Sequence, residues 1–181
     1  AVNLIFKLKR RPKKNPLIIH YNNKQEAIKD VILNNNFNKL YCRLCPGPIT
    51  FVLKKRKNSQ ITSAACANLN TVAIRFPSHK ITRKILKFLN FPLAMPSANI
   101  SSKLSPVNSI DVFDNFKKKI RIILNGGNSK IGIESTVIDL SGKPKILRPG
   151  VISSNKIKKI LKTNFSNKKT NIKSPGMMGK H

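Results

Sequence analysis

The chain has 181 residues, 40% of them apolar, which suffices for one domain with a real core and is too apolar for a disordered tail. Lys and Arg number 36 against 6 Asp and Glu, a formal net charge of +30. So few carboxylates leave no pair resembling a glycosidase dyad and no carboxylate-rich two-metal site, and no apolar run reaches membrane-spanning length.

In chain order, residues 1–9 (AVNLIFKLK) read as the end of a helix. RRPKKNP is a basic loop closed by Pro16, and LIIHY a short strand. KQEAIKDVILNN carries apolar residues at helical spacing, which predicts a helix over 24–35. PGPIT turns into the strand TFVLKK, and KRKNSQITSAACANLN reads as irregular. TVAIRFP is a buried strand ended by Pro77, ITRKILKFLNF an amphipathic helix, and PLAMP the next strand. SPVNSIDVFDNF predicts a capped helix, and IRIILNGG a strand closed by a glycine pair. STVIDL and KILRPG suit a hairpin around SGKP, and SSNKIKKILKT a final helix capped by Ser153 or Ser154. Strands alternate with helices and then cluster, the pattern of an α/β domain with one mixed sheet. The domain is expected over 1–162, and the polar, Asn- and Lys-rich residues 163–181 read as a linker.

The basic excess favours anionic partners such as nucleotides, RNA or acidic membrane surfaces. A coding bias toward Lys, Asn and Ile would produce the same excess, and both readings stand. Cys42 and Cys45 form a C-x-x-C, but Cys66 and three scattered histidines are the only further soft ligands, too few at suitable spacing for zinc. An odd count of three cysteines fits a reducing compartment, so a cytoplasmic location is expected. No signal peptide is visible in these residues, and no membrane partner is expected.

Several side chains stand where strands meet loops. Lys9, Arg10, Arg11, Lys13 and Lys14 surround one loop between a helix end and a buried strand. They are either a solvated face or a phosphate grip, since strand-end loops are where open sheets bind ligands. His20 ends an apolar strand, as a structural group or a ligand group. Arg75 lies inside TVAIRFP, where an unpaired charge is costly to bury. It needs one of six scarce acids or an anionic ligand. PLAMPSANISS stops an apolar run at Pro96 and at once presents Ser97, Asn99, Ser101 and Ser102. NGGNSKIGIEST is Gly-rich but is neither a P-loop nor a dinucleotide fingerprint, and its Ser135 and Thr136 open a strand. Arg148 precedes a Pro-Gly turn. The set is rich in donors and cations and poor in bases. That suits reactions run by positioning and charge neutralisation, of which phosphoryl and nucleotidyl transfer are the main class.

Six segments in one order, IFKLKRRPKKNPLIIH, PGPIT, TVAIRFP, PSANIS, GGNSKIGIESTVIDL and ILRPG, span residues 1 to about 152 and resemble the YrdC-like family of threonylcarbamoyl-AMP synthases. SPGMMGKH at 174–181 resembles the linker motif of the longer, two-domain members. The resemblance implies a YrdC-like twisted open mixed sheet flanked by helices. It implies an enzyme that makes threonylcarbamoyl-AMP and pyrophosphate from L-threonine, bicarbonate and ATP with Mg2+, for tRNA threonylcarbamoyladenosine modification. Partner proteins of the transfer step would consume the product, and tRNA or RNA contact is compatible with the charge. By the same resemblance, Lys9 and Arg11 form the family's K-x-R and grip phosphates as the catalytic cations. Asn15, Thr71, Asn99, Val107, Arg148 and His181 match ATP-contacting positions. His20, Arg75, Ser97 and Ser135 match positions lining the threonine, with Arg75 meeting its carboxylate. The chain departs from the family at Arg10, Cys45, Ser102 and Val107, where a small residue, Trp, Gly and a polar residue are usual. Two rival readings remain: a basic RNA-binding module of the same fold, and a carbamoyl-transfer domain of a larger enzyme.

The chain starts with Ala inside a helical pattern and stops inside a linker motif. It is therefore expected to be a fragment lacking an N-terminal strand of the family and a C-terminal domain, and to be inactive alone.

Overall fold

The computed structural model describes residues 1–163. The linker expected beyond residue 163, with His181 in it, lies outside the described residues.

A six-stranded mixed sheet organises the fold, in the order β4-β1-β3-β2-β5-β6. The strands are β1 (Ile18–His20), β2 (Ile49–Lys54), β3 (Thr71–Arg75), β4 (Leu93–Ala94), β5 (Thr136–Asp139) and β6 (Lys145–Arg148). β1 runs parallel to β3 and β2 parallel to β5; the remaining neighbours are antiparallel. The expected hairpin around SGKP is β5–β6. The helices are α1 (Val2–Lys9), α2 (Lys24–Ala27), α3 (Asn35–Leu44), α4 (Lys80–Phe88), α5 (Ser109–Phe116) and α6 (Ser154–Leu161).

Side chains alternate across each strand, so the sheet has two unlike faces. Ile19, Phe51, Leu53, Val72, Ile74 and Ile138 join the main core with Phe37, Leu40 and Leu44 of α3 and with Ile157 and Leu161 of α6. Phe37 meets Phe51 edge-on at 5.0 Å between ring centroids, and Tyr41 meets Phe76 at 4.9 Å. These contacts fix the tilt of α3 on the sheet. Ile18, Val52, Ala73 and Val137 form a smaller apolar group on the opposite face. The polar strand residues discussed below belong to that second face.

Local chemistry sets the helix ends. α5 starts in a capping box: Asn108 accepts from the Asp111 amide, and the Asp111 carboxylate accepts from the Asn108 amide. Ser153 caps α6, as expected. α1 ends with Arg10 in the left-handed region at φ 51°, which turns the chain into the basic loop.

Two expectations are corrected. The helix read over 24–35 stops at Ala27, and a separate helix follows at 35–44. Asp30 is drawn inward instead: its carboxylate accepts from Tyr21 Oη at 2.9 Å, Ser59 Oγ at 2.8 Å and the Gln60 amide at 2.9 Å. Val31 then bridges to Lys55, so the chain is extended where a helix would continue. IRIILNGG forms no strand. The sheet ends at β4 and β6, neither edge receives this segment, and Ile122 and Leu124 stay exposed. Alternation makes a strand only where a ladder is offered.

Asp30 is only 5% exposed, so its removal strands three donors at once. Asp30→Ala is expected to cost about 3 kcal/mol in urea unfolding, whereas Tyr21→Phe, which removes one bond, costs about 1 kcal/mol. Equal small losses would mean that solvent replaces the carboxylate.

Candidate active site

Strand register builds the first part of the site. His20 lies opposite Arg75, Arg75 opposite Thr50, Thr50 opposite Val137, and Val137 opposite Arg148. One row thus crosses five strands. His20, Arg75 and Thr50 alternate with Ile18, Ala73 and Val52, which places them on the second face. A short apolar group supports polar side chains there instead of a full core.

Arg75 was expected to need an anion. Its Nε donates to the Gly47 carbonyl at 3.3 Å, and among the described residues no carboxylate lies within ion-pair distance of it. Burial pulls its proton affinity down, opposed by the charge of Glu134. His20 is buried, and its Nδ1 faces the Ile18 carbonyl at 3.2 Å. A carbonyl can only accept, so the ring donates here, and the Leu93 carbonyl offers it a second acceptor. Burial, then the positive charge of Arg75, push the imidazole down to about 3, so it is neutral at physiological pH.

Ser135 and Arg148 form the second part. Ser135 Oγ and Thr50 Oγ1 are 2.9 Å apart, which joins β5 to the row. Arg148 donates from Nε and Nη2 to the Ser135 carbonyl at 3.2 and 2.8 Å, and from Nη2 to Ser135 Oγ at 3.1 Å. Its Nη1 pairs with Glu134 Oε2 at 2.6 Å. Gly150 makes this arrangement possible. A Cβ there would stand 2.4 Å from the Glu134 carbonyl and 2.5 Å from the Thr136 amide, so only glycine lets the two segments touch. Thr136 Oγ1 and Ile152 exchange two further bonds at 2.7 and 2.9 Å.

The third part joins α1 to the loop after β4. Lys9 is buried, and its Nζ donates to the Ser97 carbonyl at 2.5 Å, to the Asn99 carbonyl, and to Asn99 Oδ1 at 3.2 Å. Ser97 Oγ donates to Asn99 Oδ1 at 2.7 Å, and Asn99 Nδ2 donates to the Lys103 carbonyl at 2.5 Å. Asn99 is buried and fully engaged, while Ser97 is exposed. Arg11 donates from Nε to the Asn15 carbonyl at 3.0 Å, and from Nη2 to Asn15 Oδ1 at 2.8 Å and the Pro16 carbonyl at 2.9 Å. Two of its nitrogens therefore shape the basic loop, and these bonds leave Nη1 unused. Burial, reinforced by the Arg11 charge, pushes Lys9 down to about 8; burial brings Arg11 to about 10.

The three parts lie within electrostatic reach of one another. Glu134 raises the proton affinity of Lys9, Arg11 and Arg75, while Arg148 lowers that of Arg11 and Arg75. Four cations thus share one carboxylate. Glu134, Thr50, Gly47 and Gly150 escape the sequence reading. Glu134 had a usable signal, as one of six acids standing immediately before Ser135. Thr71 is not brought into the group; it pairs with Lys54 at the opposite end of β3 from Arg75. Val107 sits at the start of α5, where its amide donates to Asp111 Oδ2 at 2.7 Å.

The Sua5/YciO/YrdC family, described as telomere recombination, matches residues 1–150. The threonylcarbamoyl-AMP synthase of Pyrococcus abyssi is 38% identical over 100% of this chain and 55% of its own length. That of Schizosaccharomyces pombe is 33% identical over 87% of this chain and 44% of its own. The crystal structure of P. abyssi Sua5 complexed with L-threonine superposes with a TM-score of 0.91 at 37% identity, covering 99% of this chain and 55% of that one. The chain spans about half the length of these relatives.

His20 gives the site a pH signature. Its folded pKa is about 3, below the ordinary value of 6.5, so between these the unfolded chain holds a proton that the folded chain lacks. Stability is complete above pH 6.5 and falls on acidification by about 1.4 kcal/mol per pH unit. Lowering the pH from 7 to 5 should cost the wild type about 2 kcal/mol more in urea unfolding than it costs His20→Gln. Parallel losses in the two proteins would place the imidazole in contact with water.

Proposed function

The chain belongs to the Sua5/YciO/YrdC family, and from that premise we propose that the protein makes threonylcarbamoyl-AMP and pyrophosphate from L-threonine, bicarbonate and ATP. Arg75 is the observation that carries this reading. Its largely buried guanidinium has no carboxylate partner among the described residues and is held beside a neutral imidazole and two hydroxyls on one sheet face. An amino acid offers the matching groups: a carboxylate for Arg75, and an amine and hydroxyl for the hydroxyls of Ser97 and Ser135 beside the His20 imidazole. The L-threonine complex of P. abyssi Sua5, so similar in fold and sequence, supports the same reading.

The chemistry proceeds in two steps. The threonine amine and bicarbonate condense to a carbamate with loss of water. A carbamate oxygen then attacks the α-phosphorus of ATP, the bond from that phosphorus to the bridging oxygen breaks, and pyrophosphate leaves. Negative charge grows on the departing oxygens, so the main demand is for fixed cations. Lys9, Arg11 Nη1 and Arg148 meet it at the phosphates. Asn15 and Asn99 act mainly through these cations, because their side-chain oxygens accept from Arg11 and Lys9. Thr71, Val107 and His181 remain proposed nucleotide contacts by family resemblance alone.

Magnesium enters with the triphosphate, as part of the substrate. Among the described residues no three His, Cys, Asp or Glu side chains cluster as a metal site, and Glu134 is engaged with Arg148. The donor set therefore fits phosphate oxygens better than a resident metal. In the cell we place the protein in the cytoplasm, where its adenylate product passes to partner proteins that modify tRNA. The +30 charge suits contact with that RNA. Among the described residues no helix is long and apolar enough to cross a membrane.

The reading makes two measurable demands on the full-length protein. Arg75→Ala should raise the threonine concentration for half-maximal pyrophosphate release by about tenfold or more, while shifting the ATP requirement far less, because one forked charge-assisted contact is lost. An unchanged threonine requirement would remove Arg75 from the site. ATP affinity should also weaken as the pH rises through about 8, where Lys9 loses its proton. Lys9→Met should abolish that dependence. A wild-type affinity that stays flat to pH 9 would mean that the ammonium contacts only its own loop.

A further inference from the structure

Among the described residues Glu134 is the one acid whose charge reaches the site's cations, and the chemistry proposed above gives it no task. Its backbone is fixed. The Val151 amide donates to its carbonyl at 3.2 Å, and Gly150 packs directly against that carbonyl. Its side chain is 49% exposed, and the single bond described for it is the ion pair to Arg148 Nη1. Arg148 does not depend on that pair for its aim. Three further bonds, from Nε and Nη2 to Ser135, hold the guanidinium plane on their own. A carboxylate used merely as a brace would be redundant here.

We propose that Glu134 is a built-in counter-ion that competes with the anionic ligand for Arg148 and so speeds departure of the pyrophosphate product. The inference rests on the phosphate-binding reading given above. An ion pair this exposed is weak and can swing aside at little cost. The triphosphate, carrying several charges, displaces it and takes Nη1. After the α-phosphorus bond breaks, pyrophosphate sits among Lys9, Arg11 and Arg148, and among the described residues Glu134 is the carboxylate whose charge acts on all three. The returning Glu134 replaces one phosphate oxygen on Nη1 and lowers the net charge that holds the product. Product release limits many enzymes of this kind, so a site of four cations gains by carrying its own competitor.

The sign of one measurement separates a competitor from a brace. Inorganic pyrophosphate is titrated calorimetrically into the full chain at pH 7 and moderate salt. Glu134→Gln keeps the shape and removes the charge, and pyrophosphate should then bind about three- to tenfold more tightly, the size expected for losing one nearby like charge in a partly solvated site. Glu134→Asp, which keeps the charge, should return the affinity toward the wild-type value. Glu134→Ala should behave as Gln does, and serves if the Gln variant is unstable. In an Arg148→Ala background the Gln substitution should lose most of its effect, because the competition is for Arg148. Unchanged or weaker pyrophosphate binding by both Gln and Ala variants overturns the proposal and makes Glu134 a brace. Full tightening in the absence of Arg148 overturns it as well. If the wild type binds no pyrophosphate at all, the phosphate reading itself fails; the threonine requirement of Arg75→Ala tests the other half of the site independently.

Discussion

His20, Arg75 and Thr50 stand side by side because β1, β3 and β2 pair in one fixed register. A slip of one residue would send all three into the apolar face that receives Phe37 and Leu40. Burying an arginine there without a partner is prohibitive, so the cost of the wrong register protects the right one. The same register turns Ile19, Ile74 and Phe51 toward α3. Core and site are therefore two readings of a single alignment. The core supplies the stability; the opposite face, with its smaller apolar group, holds the charged row.

Much of this is legible in the sequence. The strands that carry site residues announce themselves by short apolar runs, three of them ended at Pro77, Pro96 and Pro149, and Arg75 declares itself as a charge inside one of them. The capped starts of α5 and α6 are written locally as well. The failures share a cause. α3 is built from NNFNKLYCRL, whose three asparagines hide the helix. Its stability comes from Phe37, Leu40 and Leu44 meeting the sheet, a tertiary fact. The helix read over 24–35 breaks because Asp30 finds three donors from distant residues. IRIILNGG carries the alternation of a strand but no ladder takes it. In each case long-range pairing, present or missing, decided what the local signal could not.

The site was legible in membership more than in role. Lys9 and Asn99 read as groups reaching for a ligand, yet both are buried and bonded to each other and to the loop between Ser97 and Lys103. Arg11 likewise spends two nitrogens on Asn15 and Pro16. Residue type and spacing reveal that such groups matter. They do not reveal how donors are shared between shaping a loop and meeting a substrate, because that division depends on residues about 90 positions away, such as Asn99 to Lys9. A strand-end loop of small polar residues has no core of its own, and the buried ammonium supplies one by gathering its carbonyls.

That sharing has a physical consequence for substitutions usually treated as conservative. Lysine places three donors around a point, which matches the Ser97 and Asn99 carbonyls and Asn99 Oδ1 converging on one buried position. A guanidinium is planar and larger, and could not replace it without moving the loop. Arg11 and Arg148 show the converse. Each uses its fork to hold two directions at once, one toward its own backbone and one toward the site. An ammonium there could keep the charge but not the two directions. Lys9 and Arg11 therefore belong to different parts of the machinery although a single residue separates them. The ammonium organises the loop from within and adds its charge to the phosphate site, and the forked cations, aimed by backbone carbonyls, face the charge that the reaction develops.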